Sequence, residues 1–169
     1  TRPGGLQQVL DDSNGLYPGK TAIIYSGEAY SYAQLEDASR RLAGGLLALG
    51  LRVQDRVLLC LGNRIETVCG FWGGLKAGGV VVNVDPQVSA THLEHILRDC
   101  EATVLITTSS VLASLPSSIA SLPHLSGIVL LDGEPDARAT RTFESLLNQE
   151  AWFASAMPPL DDDLATIFL

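Results

Sequence analysis

Lysine is almost missing from this chain. Lys20 and Lys76 are the only two in 169 residues, and no stretch clusters Lys or Arg. Eleven basic side chains stand against nineteen acidic ones, giving a net charge of −8. Binding to nucleic acid needs clustered cations that replace phosphate counterions, so this balance argues against nucleic acid as a main partner. Long hydrophobic runs are missing too: none approaches the roughly 20 residues a membrane helix needs. The chain starts at Thr1 with no basic stretch leading into an apolar run, so neither a signal peptide nor a membrane span is expected, and the reading is cytoplasmic. Cysteine is sparse. Cys60, Cys69 and Cys100 are odd in number, widely spaced and set in apolar surroundings. That pattern excludes a disulfide frame or a zinc site and fits reduced core thiols.

What is present is apolar: 46% of residues are hydrophobic and 18% charged, in a length that suits one domain with its own core. Residues 1–19 carry scattered Gly and Pro and read as a leader with at most one short helix, near 5–12. Residues 21–25 and 29–31 flank Ser26-Gly27-Glu28 and read as a hairpin. Ser31 and Gln34 make a capping-box pair. Leu35, Ala38, Leu42, Gly45, Leu46 and Leu49 follow at helical spacing up to Gly50, so a helix is predicted over 32–49.

A short all-apolar run at 57–61 and mainly apolar runs at 80–84, 103–107 and 127–131 read as strands, buried ones at 57–61 and 80–84. Helices are predicted between them at 64–77 and 91–100, the latter capped by Thr91 and Glu94. Pro116 and many serines weaken a helix over 109–121. Residues 132–141 read as loop, 142–150 as a short helix, 151–163 as a connector and 164–169 as a last buried strand. Strands alternating with helices call for an α/β fold with a mostly parallel, helix-flanked sheet.

Candidate chemistry is thin. Gly70, Gly73, Gly74, Gly78 and Gly79 are dense. They lie within and after a helix, whereas a phosphate cradle sits between a strand and a helix N-terminus. Close helix packing explains them better. His92 and His95 share a helix face but lack further ligands, and His124 has no evident partner. Asn83 and Asp85 end a predicted parallel strand, where ligands of open α/β sheets bind, yet Asp-Pro is also ordinary turn chemistry. None of the many serines sits in Gly-x-Ser-x-Gly, and no base or orienter is nominated for any of them. Trp72 and Trp152 read as core or lid residues. No catalytic, cofactor-binding or metal-ligating residue is assigned.

Several segments share an order: Tyr30-Ser31-Tyr32-x-x-Leu35 opening a helix that ends in Leu49-Gly50-Leu51; Asp55-Arg56-Val57 before a strand; Asn63-Arg64 before a helix; and Leu75-Lys76-Ala77-Gly78-Gly79 leading through 80–84 to Asp85-Pro86. Over about residues 17–169 this order resembles the N-terminal part of the adenylate-forming (AMP-forming) superfamily: acyl- and aryl-CoA ligases, luciferases and peptide-synthetase adenylation domains. The resemblance implies a parent enzyme that activates a carboxylic acid with ATP and Mg²⁺ to an acyl-adenylate. The acyl group then passes to CoA or to the phosphopantetheine of a carrier protein. It implies that 20–169 is the N-terminal α/β portion of the adenylation domain, truncated before the phosphate loop, with the rest of that domain as its partner. On this reading the piece alone holds no ATP or Mg²⁺ and is inactive. Ile167, Phe168 and Leu169 are then expected to need cover from further sequence. The strand block at 80–86 looks closer to CoA ligases than to carrier-loading domains. A stand-alone α/β binding module of the same topology is the other reading.

Overall fold

A computed structural model describes residues 5–6, 8–135, 137–148 and 165–168. The expected connector at 151–163, including Trp152, lies outside them, as do Leu164 and Leu169 at the ends of the expected last strand.

Helix α1 (Gln8–Leu16) precedes a hairpin of β1 (Thr21–Tyr25) and β2 (Glu28–Ser31). Helix α1 runs further than the expected 5–12, through Gly15. Helix α2 (Tyr32–Ala48) starts at the capping box the sequence announces: Ser31 Oγ accepts from Gln34 N–H at 3.2 Å, and Gln34 Oε1 accepts from Ser31 N–H at 2.8 Å. It stops at Gly50, whose φ of +93° suits a residue without Cβ. Leu51 N–H then reaches back to Leu46 C=O at 3.1 Å, the Schellman closure of a helix end.

Next come β3 (Arg56–Cys60), α3 (Ile65–Lys76), β4 (Val80–Asn83), α4 (Ala90–Asp99) and β5 (Ala102–Thr107). They are followed by α5 (Ser109–Ser114), a 3₁₀ turn (Ser117–Ser121) and β6 (Gly127–Leu130). The described chain ends with β7 (Arg141–Thr142), α6 (Phe143–Leu147) and β8 (Thr166–Phe168). Six strands form one parallel sheet in the order β7-β6-β5-β3-β4-β8. The α/β class and the parallel sheet match expectation. Two local readings are corrected. Helix α4 is capped by Ser89, whose hydroxyl accepts from His92 N–H, and not by Thr91, which already lies inside the helix. The stretch 132–141, read as loop, delivers a two-residue strand at its end: β7 pairs with β6 through Val129 and Leu130. The 109–121 segment is a short α-helix and a 3₁₀ turn separated by Pro116, as a proline without N–H requires.

The sheet is apolar on both faces, with two core layers. Val57, Leu59, Val81, Val104, Ile106 and Val129 face one way, toward Leu42 and Leu46 of α2, Leu75 of α3 and Phe143 and Leu146 of α6. Leu58, Cys60, Val82, Leu105, Ile128 and Leu130 face the other way, toward Leu93 and Leu97 of α4, Leu112 of α5 and Ile119. Ile167 of β8, half-buried, packs against this second layer. The glycines of α3 act as the sequence suggests. A Cβ on Gly70 would lie 3.0 Å from Leu59, on Gly73 3.0 Å from Leu42, and on Gly74 2.7 Å from Val81. Missing Cβ atoms let α3 sit directly on the sheet and against α2.

Candidate functional site

Strand order creates one crevice. The chain leaves β3 for α3 on the first layer and leaves β4 for α4 on the second. The two connections diverge, so the carboxyl ends of β3 and β4 part around an open cleft of about 510 Å³. This is where open α/β sheets receive ligands.

The floor is Leu59 and Val84, tied together by Val84 N–H donating to Leu59 C=O at 2.9 Å. One wall is the β3–α3 turn. Gly62 there has φ +75°, and a Cβ would meet Pro86 of the opposite wall at 3.3 Å, so the two walls close on this glycine. Thr67 Oγ1, in the first turn of α3, donates to Gly62 C=O at 2.6 Å and fixes the turn. The N-cap of α3 is Arg64, which makes no side-chain cap bond. The other wall is the Asp85-Pro86-Gln87 turn, in which Asp85 Oδ1 accepts from Gln87 N–H at 2.8 Å.

The structure thus brings Asn83 and Asp85 together with Asn63, Thr67 and Gln87, three residues the sequence did not nominate. The signal for Asn63 was a glycine-asparagine pair between a strand and a helix; Thr67 and Gln87 gave none. The lining is amide, hydroxyl and one carboxylate, with no Lys, Arg, His or Cys. Such a set can bind and orient a polar group; the Thr67 hydroxyl is already committed to Gly62 C=O, and Asp85 Oδ1 to Gln87 N–H. Cys60, at the end of β3, does not supply a nucleophile. Burial pushes its thiol up to about 11; the Thr107 hydrogen bond acts against this, and Asp85 adds to it. Burial likewise takes the Cys69 thiol to about 11.

The remaining nominees lie elsewhere. His92 and His95 are exposed on α4, and His124 finds a partner the sequence hid, with Nε2 3.5 Å from Glu101 Oε1. Among the described residues no three His, Cys, Asp or Glu side chains stand close enough to hold a metal. Trp72 is half-buried against the first core layer, edge-on to Phe71 at 5.4 Å. No helix among the described residues is long and apolar enough to cross a membrane.

A doubly wound parallel sheet with a polar cleft at its carboxyl edge defines an open α/β domain of the topology in which ligands are received at that edge. Comparison with known proteins narrows this class. The family model described as AMP-binding enzyme matches residues 10–169, so this chain belongs to the AMP-binding enzyme family. It is 36% identical over 144 residues to syringomycin synthase SyrB1 of Pseudomonas syringae pv. syringae, covering 83% of this chain and 23% of that protein. It is 38% identical over 102 residues to a long-chain-fatty-acid–CoA ligase of Bacillus subtilis, covering 60% of this chain and 18% of that protein. The crystal structure of a benzoate CoA ligase from Burkholderia xenovorans superposes with a TM-score of 0.81 at 25% identity, over 96% of this chain and 32% of that one. The chain therefore spans about a third or less of these relatives.

Proposed function

We propose that residues 20–169 are the N-terminal α/β portion of an AMP-forming ligase. That ligase activates a carboxylic acid with ATP and Mg²⁺ to an acyl-adenylate and passes the acyl group to CoA. The family match along 10–169, together with the segment order from Tyr30 to Pro86, carries this reading.

The residues described do not fit ATP or Mg²⁺ by themselves. The cleft has no cationic lining and one exposed carboxylate, and no glycine-rich strand-to-helix loop cradles a triphosphate. The role assigned to this portion is structural. It forms one sheet of the large domain and both walls of a polar crevice, while the atoms that react are held by other parts of the ligase.

The test is acid-dependent exchange of pyrophosphate into ATP. The 169-residue chain should show none above a no-protein control, and the full adenylating protein should show exchange with its acid. Exchange by the short chain alone would overturn the assignment of inactivity. A full protein that exchanges with no carboxylic acid, and traps no acyl-hydroxamate, would overturn the ligase reading in favour of a stand-alone binding module. The similarity to a synthase over 83% of the chain supports a second acceptor, a carrier-protein phosphopantetheine. Acyl transfer to a carrier protein and not to CoA would select it.

A further inference from the structure

We propose that α1 is a separable strap, held closed by one nearly buried ammonium: Lys76 of α3 clasps Asp11 of α1 and Glu36 of α2. Lys76 Nζ pairs with Asp11 Oδ1 and lies 3.0 Å from Glu36 Oε2, with its side chain only 7% exposed. Three helices thus meet on a single charge.

Among the described residues, little besides this clasp holds α1. Leu10 is its one buried residue, 3% exposed, while Val9 and Leu16 are exposed. The Asn14 side-chain oxygen is buried without a hydrogen-bond partner, which weakens the closed state. Glu36 is 12% exposed, and burial raises its carboxyl pKa even against the attraction of Lys76. Closing the strap therefore buries polar groups that are incompletely satisfied.

The hinge is equally definite. Just after α1, Ala33 N–H donates to Pro18 C=O at 3.0 Å and Tyr32 N–H to Lys20 C=O at 3.1 Å. Residues 18–20 are fixed to the start of α2 whatever α1 does. Opening then turns about Leu16 and Tyr17, withdraws Leu10 from the core and bares its seat. Segments with few buried contacts open locally without global unfolding.

Hydrogen exchange read by mass spectrometry on the whole chain tests this. In the wild type, α1 amides should exchange at least tenfold faster than those of α2 and α3. Asp11→Asn removes only the strap's arm of the clasp and should speed α1 at least a further fivefold, with β3 and β5 unchanged. Lys76→Met should do the same to α1 and also loosen α2 near Glu36. Equal protection of α1 and α2, or no response of α1 to Asp11→Asn, overturns the proposal. So does Lys76→Met accelerating every element alike, because the lysine would then hold the whole domain. If Lys76→Met does not fold, the Asp11→Asn comparison alone decides.

Discussion

Gly74→Ala isolates the packing that seats α3 on the sheet. The added Cβ would stand 2.7 Å from Val81 Cγ2. Carbon atoms in good contact are about 3.5–4.0 Å apart, so something must move by about 1 Å. Val81 cannot easily yield. It is fully buried, β-branched, and paired to β3 on one side and β8 on the other. Nor can α3 shift freely sideways, because Gly73 already brings it against Leu42 and Gly70 against Leu59. Overpacking of this kind costs about 1–3 kcal/mol. Alanine returns about 1 kcal/mol through helix propensity. The expected net loss is about 1 kcal/mol, read as a lower urea midpoint at unchanged m-value. Val81→Ala alone leaves a cavity and also destabilises, but in the double variant the new methyl enters that space. The two effects should therefore fall short of their sum by about 1 kcal/mol. Gly74→Ala at or above wild-type stability, or strict additivity with Val81→Ala, would refute the reasoning.

Ser31→Ala removes the hydroxyl that caps α2 and should cost about 1 kcal/mol, measured by the same unfolding curves. Ser39 is fully buried with its hydroxyl unpartnered, so Ser39→Ala should hold or raise the midpoint; a clear loss would show that the hydroxyl has a partner. Cys60 and Cys69 have folded thiol pKa values near 11 against an ordinary value of 9.0, so the folded state keeps protons that the unfolded state releases. Their contribution is intact below pH 9 and drains away as pH climbs from about 9 to 11, by up to about 1.4 kcal/mol per pH unit for each thiol. A Cys60→Ala/Cys69→Ala variant should lose this alkaline slope. In the native state at pH 8 both thiols should resist iodoacetamide, with labelling appearing only in denaturant; rapid native labelling, read by mass, would contradict their burial.

Much of the architecture was readable because its signals are local. The four short, mainly apolar runs had too little polar surface to leave either face in water, and Ser31 with Gln34 announced a helix start within four residues. The glycines of α3 were readable as packing because they fell at helical positions. What failed was competition or distance. Ser89 and Thr91 both offer a hydroxyl. The choice fell to Ser89 because the turn set by Asp85 ends with Val88 N–H bonded to Asp85 C=O, leaving the next residue free to cap. Strand β7 is two residues long, and no period can show in so short a segment. The cleft is joined by Gly62 against Pro86, and His124 meets Glu101 across 23 positions. Such pairs exist only once strand order is set, and the sequence does not print that order.

The place of β8 beside β4 has a consequence for the order of assembly. Strand β3 pairs with β4 across a single helix and with β5 across α3, β4 and α4, where Thr107 Oγ1 donates to Cys60 C=O over 47 positions of chain. Thr166 Oγ1, by contrast, donates to Val81 C=O across 85 positions of chain. Loop-closure entropy rises with the logarithm of loop length, and contacts of high sequence separation slow folding. The β3–β4–β5 centre can therefore nucleate by itself, with β4 as a temporary sheet edge. That edge waits for a strand arriving late, and during the wait it can pair with any extended segment that reaches it first, including the same strand of another copy.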